Sequence, residues 1–414
     1  MKNPIRKLAG VTLTIAVAAS LAACSGSGSS GGKTEIEFFQ SKTESVDIVN
    51  KLIAEFEKKH PDITVTQNNS PDALTALKAD LAKGKIPDVI AVNVSNFNDV
   101  AKTDILVDQA GTDARKAVSN TTAIDYTNQA GQTGKTVYAL PWTVNAQIVL
   151  YDKDEFAKLG LTVPTTWDEF IQTAQKIKDA GEQPFEFTWK DSWTAKLLLN
   201  SIAGPTQGTD FWKKLQDGSA TFTGSEAYQT AADRLLQLKK FAQADPFGTT
   251  YDDGNAAFAN GKSVMYVQGT WAIPEITKVN ADKNIGEFAL PTGDNAAQNR
   301  LLSGPDSVVG VAKAGKHQKE AQEFVDFLFS QSAQKEYADD QHLLSVRSDV
   351  APADTGLAAL KKEWIDTNKT VMYPDGMFTG ASNLAALTQS FLYDGKASTF
   401  LKAVDADFQQ NGIK

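Results

Sequence analysis

The 414-residue chain holds one cysteine, Cys24, and three histidines, His60, His317 and His342. A single thiol excludes a disulfide framework, so the core has to be hydrophobic. The histidines are too scattered to form a metal motif, and none is paired in sequence with a nucleophile. His60 closes an amphipathic segment, where a cationic side chain suits the helix dipole, and His317 lies in a lysine-rich loop. Blocks of like charge are missing too. The 41 basic and 50 acidic residues leave a net charge of −9 with no basic stripe, which argues against nucleic acid or polyanions as partners. Beyond the opening residues, no apolar run approaches the ~20 residues that a membrane helix needs.

The opening residues carry a different signal. Lys2, Arg6 and Lys7 precede an apolar stretch from Leu8 to Ala19, and Leu21 to Cys24 reads "LAAC". This is the layout of a secretory signal, and the cysteine at its end resembles a bacterial lipobox. Residues 1–23 are therefore expected to be a lipoprotein signal peptide and Cys24 to carry lipid through its sulfur, a stable anchor needing more than one acyl chain. An ordinary signal peptide with a chance cysteine is the alternative. Residues 24–33 add a flexible Gly/Ser tether. It matches G-x-S-x-G at Gly28 to Gly32, but a nucleophile elbow needs a strand before it and a helix after it.

From Thr34 the pattern alternates between periods. "TEIEFFQ" reads as a strand, Val49, Leu52, Ile53 and Phe56 fall at helical spacing before Pro61, and "ITVTQ" is a second strand. Asp72 opens a second helix with Leu74, Leu77 and Leu81 on one face, Gly84 ends it, and Val89 to Val94 is a buried strand. Strand, helix, strand, helix, strand implies a parallel sheet with crossovers. Further on, extended pieces flank Pro141, and Thr165 or Thr166 caps a helix with Phe170, Ile171, Ala174 and Ile177 along one side. Residues 192–244 are mainly helical, Val264 to Val267 and Ser307 to Lys313 are strands, and Lys319 to Tyr337 reads as one long amphipathic helix.

"FEKKHPDITV", "LAKGKIPDVIAVNVSNF", "ALPWTVNAQIVLYDKDEF", "TTWDEF", "FANGKSVMYVQGTW" and "SVVGVAKAGKHQKEAQEFVDFL" together resemble the extracellular solute-binding proteins of carbohydrate ABC transporters, the maltose-binding-protein-like group. The resemblance spans about Thr34 to Tyr337 and rests on the order and spacing of these segments. It implies an α/β, two-lobe periplasmic-binding-protein-like fold, each lobe a mostly parallel sheet flanked by helices. Residues 34–141 with about 303–345 would form lobe 1, and 142–302 with about 346–414 lobe 2. The chain would cross near Pro141, near Ser303 and after Tyr337, and the lobes would close around a sugar by hinge motion. The implied role is a monomeric receptor on the outer face of a Gram-positive-type cell membrane, handing an oligosaccharide to ABC permease subunits, with no cofactor, no metal and no catalytic residue.

A sugar ring has apolar faces and a rim of hydroxyls, so its site needs aromatic platforms and fixed polar partners. Trp271, just past Gly269 at the mouth of a strand, is the first candidate, and the resemblance implies that it stacks on a ring; closing the core is the other reading. Trp142 either lines the cleft or packs the hinge. Asn145 falls where the family places a polar contact, or is a turn residue. Asn93 and Asn96 follow a buried strand, where open α/β sheets bind ligands, or act as helix caps. Gln40 and Lys42 follow the first strand. Trp193 is preferred over Trp189, and Asp191 beside it accepts from a hydroxyl or, as the better reading, caps the helix. Asp306 and Ser307 begin the strand after the second crossing, and Phe378 and Asp375 lie in a late Gly-rich loop. Trp167 and Trp212 read as core, and Trp364 finds no place.

Other readings compete. "NGKS", Asn260 to Ser263, lacks the first glycine of a phosphate loop, since position 256 is alanine, and its strand follows rather than precedes it. A secreted glycosidase would need two carboxylates facing across a cleft, and no two are paired by the sequence. A surface adhesin would need an exposed apolar patch. A receptor for a peptide or polyol would keep the fold and change the solute.

Overall fold

The structure, a computed structural model, describes residues 33–69, 73–208 and 210–413. Cys24, the tether up to Gly32 and the expected cap Asp72 lie outside the described residues. The strands, in chain order, are β1 (Thr34–Gln40), β2 (Ile63–Asn69), β3 (Val89–Asn93), β4 (Leu140–Pro141), β5 (Thr143–Asp152) and β6 (Phe185–Glu186). They continue with β7 (Met265–Gly269), β8 (Ile285–Phe288), β9 (Leu301–Pro305), β10 (Ser307–Val311), β11 (Leu344–Ser345) and β12 (Thr370–Val371).

The first sheet has the order β2-β1-β3-β10-β4. β1 runs parallel to both β2 and β3, as two strand–helix crossovers require. The helix Val46–Lys59 buries Ile48, Val49, Leu52, Ile53 and Phe56 against this sheet, and His60 ends it. The central strands β3 and β10 are buried on both faces and are nearly continuous apolar runs, whereas β1 and the edge strand β2 keep polar residues. In β3, Val89 and Ala91 enter one core while Ile90 and Val92 enter the other.

The second sheet has the order β12-β9-β5-β7-β6, with β8 and β11 also paired to β5. Here the expectation of a mostly parallel sheet fails: β5 is antiparallel to β7, β8, β9 and β11, and only β6–β7 and β12–β9 are parallel. Part of the reason is connectivity. The chain leaves the first sheet along β4 and enters the second along β5, then leaves the second along β9 and returns along β10. An outgoing and a returning strand that lie side by side must run opposite ways, which makes β5–β9 and β10–β4 antiparallel.

Local signals set the helix ends. Thr166 and Glu169 form a reciprocal capping box on the helix Trp167–Asp179. The run from Lys319 to Tyr337 is two helices, Gln318–Leu328 and Gln331–Asp340, rather than one. Ser330 breaks it by turning its hydroxyl to the Ala333 N–H and capping the second helix. Trp167 and Trp212 pack in or against the main core of the second sheet, and Trp364 packs against the smaller core on its other face. No helix among the described residues is long and apolar enough to cross a membrane.

Candidate functional site

The two sheets meet at short crossings. Trp142 joins β4 to β5 and Asp306 joins β9 to β10. The two crossings are tied by reciprocal backbone bonds: Trp142 N–H donates to the Ser307 carbonyl at 2.8 Å, and Asp306 N–H donates to the Thr143 carbonyl at 2.9 Å. The Asp306 side chain is the centre of a polar network. It accepts from Lys42 Nζ at 2.7 Å and from Asn145 Nδ2 at 2.8 Å, and Asn145 Oδ1 accepts in turn from the Tyr373 hydroxyl. Burial pushes the Lys42 ammonium toward losing its proton, but the carboxylates of Asp306 and Glu44 outweigh it and raise the pKa above that of an ordinary lysine. Lys42 is therefore a fixed cation. Its loop is held by Gln40, whose Oε1 accepts the Lys42 N–H at 2.6 Å.

Beside this network lies a cleft of about 620 Å³, within the roughly 300–1,000 Å³ of small-ligand pockets. One wall comes from the carboxyl ends of β1 and β3 and supplies Ser41, Thr43, Glu44, Asn93 and Ser95. The other comes from β5 and from three helix starts. Trp193 lies in the first turn of Ser192–Ala203, Tyr251 opens Tyr251–Ala259, and Trp271 precedes Ala272–Val279. Trp193 and Tyr251 meet edge to face at 5.2 Å.

Trp271 answers why the largest side chain sits just past a glycine. A methyl group on Gly269 would lie 2.0 Å from Trp271 Cζ3, so only glycine lets the indole fold back across the strand end. The ring is half-buried, packs against three core clusters and still lines the cleft. Every lysine that lines the cleft has a carboxylate partner. Besides Lys42, Lys196 contacts Asp375 at 2.8 Å and Lys278 contacts Glu275 at 2.6 Å.

Of the residues singled out in the sequence, the cleft brings together Trp271, Trp193, Asn145, Asn93, Lys42, Asp306 and Asp375. Asn93 stands at the N-cap of Val94–Ala101 without making a side-chain cap bond, which leaves its amide to the cleft. Asn96 lines a side recess of about 90 Å³ that shares Ser95, Lys196 and Asp375 with the cleft. The remaining residues are placed elsewhere. Trp142 is 1% exposed and stacked on Tyr337 at 4.0 Å, because the crossing turns its indole into the first lobe's core. Gln40 is buried in shaping its loop, and Ser307 is buried in the sheet behind Asp306. Phe378 borders the recess, but its ring is 5% exposed within an aromatic core with Phe222 and Phe408. Asp191 caps a helix other than its own: its Oδ2 accepts the Tyr251 N–H at 2.7 Å, which fixes Tyr251 against Trp193.

Sequence reading missed Tyr251, Tyr373, Gln147 and the lysines 196 and 278. A helix-start signal preceding Tyr251 was present in Thr250 with Asp253 three residues on, which form a capping box. Nothing local marks Tyr373, which reaches Asn145 across more than two hundred residues of chain.

Residues 41–335 match the family model described as bacterial extracellular solute-binding protein. The chain is 30% identical over 407 residues to the multiple sugar-binding protein of Streptococcus mutans, covering 94% of this chain and 95% of that one. Its fold superposes on the solute-binding protein RafE in complex with raffinose with a TM-score of 0.77 at 26% identity, over 91% of this chain and 99% of the other. Apo RafE from Streptococcus pneumoniae gives a TM-score of 0.75 at 26% identity, over 92% and 98%. The chain belongs to the bacterial extracellular solute-binding protein family.

Proposed function

We propose, proceeding from that membership, that the protein is an extracellular receptor that binds an oligosaccharide between its lobes and delivers it to an ABC importer. The observation that carries this reading is the pairing of walls. Trp193, Tyr251 and Trp271 offer flat apolar faces, and the opposite wall offers short polar side chains. The lysines are neutralised by carboxylates, so the cleft suits an uncharged polyhydroxyl solute better than an anion. The names of the relatives, a multiple sugar-binding protein and a raffinose complex, point the same way.

In this reading Trp271 and Trp193 are the platforms, and Asn145, Asn93, Lys42, Asp306 and Asp375 fix the hydroxyl rim. Residues 34–141 with about 303–345 move against 142–302 with about 346–414, about the tied crossings. The receptor acts as a monomer, anchored through lipid on Cys24 to the outer face of the cell membrane, and does no chemistry on its ligand. The test is calorimetry and thermal shift of the chain from Lys33 onward against raffinose-type, malto- and chito-oligosaccharides, polyols and peptides. A ligand at 100 times its Kd should add ~2.7 kcal/mol of stability. One oligosaccharide class is expected to bind and to be recovered unchanged. Binding confined to peptides or polyols, or a shortened sugar, would overturn the proposal.

A further inference from the structure

The three histidines look inert in the sequence, but folding gives one of them a setting that spacing does not reveal. His342 lies in the turn between the helix Gln331–Asp340 and β11, with its backbone in the left-handed region at φ 49°. Its Nε2 is 3.2 Å from Glu287 Oε1 and 3.8 Å from Asp354 Oδ1. Glu287 comes from β8, and Asp354 from the start of the helix Thr355–Leu360 that packs against β8. One ligand atom from each residue lies within 4.8 Å of the others. We propose that Glu287, His342 and Asp354 form a binding site for a divalent transition-metal ion, outside the cleft and on the segment where the chain crosses between lobes for the third time.

Hydrogen bonding accounts for part of this arrangement: His342 Nε2 meets Glu287 Oε1 at 3.2 Å, and Asp354 Oδ1 caps its own helix by accepting the Leu357 N–H at 2.8 Å. One imidazole nitrogen donates to at most one oxygen, and the second carboxylate is beyond bonding distance. Two carboxylates converge on one ring, and Glu287 Oε2 is buried without a partner on a side chain only 8% exposed. A position shared by two carboxylates and an imidazole nitrogen suits a doubly charged cation. The spacing approaches that of a metal site: metal–ligand bonds of about 2.0–2.2 Å in a tetrahedron put neighbouring ligand atoms about 3.3–3.6 Å apart, and here His342 Nε2 is 3.2 and 3.8 Å from the two oxygens, with all three atoms within 4.8 Å of one another. A nitrogen with two oxygens suits zinc or a similar borderline ion, not calcium, which takes oxygen alone. Gly356 keeps the approach open, since a methyl there would lie 2.7 Å from Glu287 Oε1.

The test uses the chain from Lys33 onward, stripped with chelator, with Zn²⁺ as the calorimetric probe and Co²⁺ as the spectroscopic one. One equivalent of Zn²⁺ is expected to bind and raise Tm, and Co²⁺ should give the visible absorption of a low-coordinate nitrogen–oxygen site. His342→Gln and Glu287→Gln should each weaken Zn²⁺ by more than about tenfold. Asp354→Asn supplies a milder third variant in case either fails to fold, and His60→Gln is the control because His60 also meets a carboxylate, Glu323. Equal Zn²⁺ affinity in wild type and His342→Gln, loss of binding only in His60→Gln, or no binding to the wild type would each overturn the proposal.

Discussion

The two walls of the cleft are built by different means. On the first-lobe side the chain emerges from the carboxyl ends of β1 and β3, and short polar side chains are held by hydrogen bonds and a buried ion pair. On the second-lobe side each aromatic stands at a helix start and is held mainly by shape: Gly269 makes room for the indole of Trp271 and Trp193 packs edge to face on Tyr251, with one hydrogen bond from the Tyr251 N–H to Asp191 fixing the backbone. Substitutions in the two walls should therefore register in different ways. In a wall held by charge, a lost partner leaves an uncompensated buried ion, so stability and binding fall together. In a wall held by shape, a lost ring removes contact with the ligand first.

Asp306→Ala should have the largest effect. It leaves the Lys42 ammonium, 7% exposed, with only the more distant Glu44 carboxylate at 3.5 Å, and unties Asn145. Removing one partner of a buried pair costs about 3–5 kcal/mol, to be read as a lower urea midpoint together with loss of sugar binding. A cost below about 1 kcal/mol would mean that the first wall is not held by charge. Trp271→Ala should follow, losing at least ~2 kcal/mol of binding, about 30-fold, with a smaller loss of stability because the ring also packs against the cores. Trp142→Phe should leave affinity unchanged, since that indole faces Tyr337. Equal losses of affinity in both would erase the distinction between cleft and hinge tryptophans. Trp193 is 38% exposed at the edge of the cleft, and its proposed role as a rim platform predicts that Trp193→Ala costs ~1 kcal/mol of affinity with no measurable change in unfolding.

The same contrast explains what the sequence could say. The first wall was legible because it follows a rule: polar residues just beyond the carboxyl ends of parallel strands, as at Lys42 and Asn93. Trp271 was legible because a large aromatic just past a glycine at the mouth of a strand stands where the chain turns out of a sheet, the place where ligand pockets tend to be built. Trp142 misled because its position along the chain, beside a crossing, is right for a cleft residue while its direction is not, and direction depends on how Tyr337 and Gln334 pack around it. The second sheet misled for a related reason. Crossovers between consecutive strands can be read locally, but the pairing of an outgoing with a returning strand joins β5 to β9 across some 150 residues. Glu287, His342 and Asp354 come together in the same way, from three elements that no spacing rule connects.

The smallest effect tests whether the shape-held wall is rigid. Glu186 lies in β6 beside β7, 4% exposed, beneath the helix that carries Tyr251. Burial raises its carboxyl pKa from 4.5 to about 7, the nearby Ser263 hydroxyl opposing the shift. A carboxyl with a raised pKa binds more protons folded than unfolded between those values, so its contribution to stability is greatest at the acid end and falls as pH rises through that window. Above the folded pKa the ionised group is a constant cost. Glu186→Gln should therefore remove a downward slope in stability between pH 4.5 and about 7, measured by urea unfolding across that range. Sugar affinity should stay flat over the same range in both proteins, because the titrating group lies behind the aromatics and does not touch the ligand. A drop in affinity with the same midpoint, abolished by Glu186→Gln, would mean that charging the core displaces Tyr251, and that the second wall is as electrostatic in its support as the first.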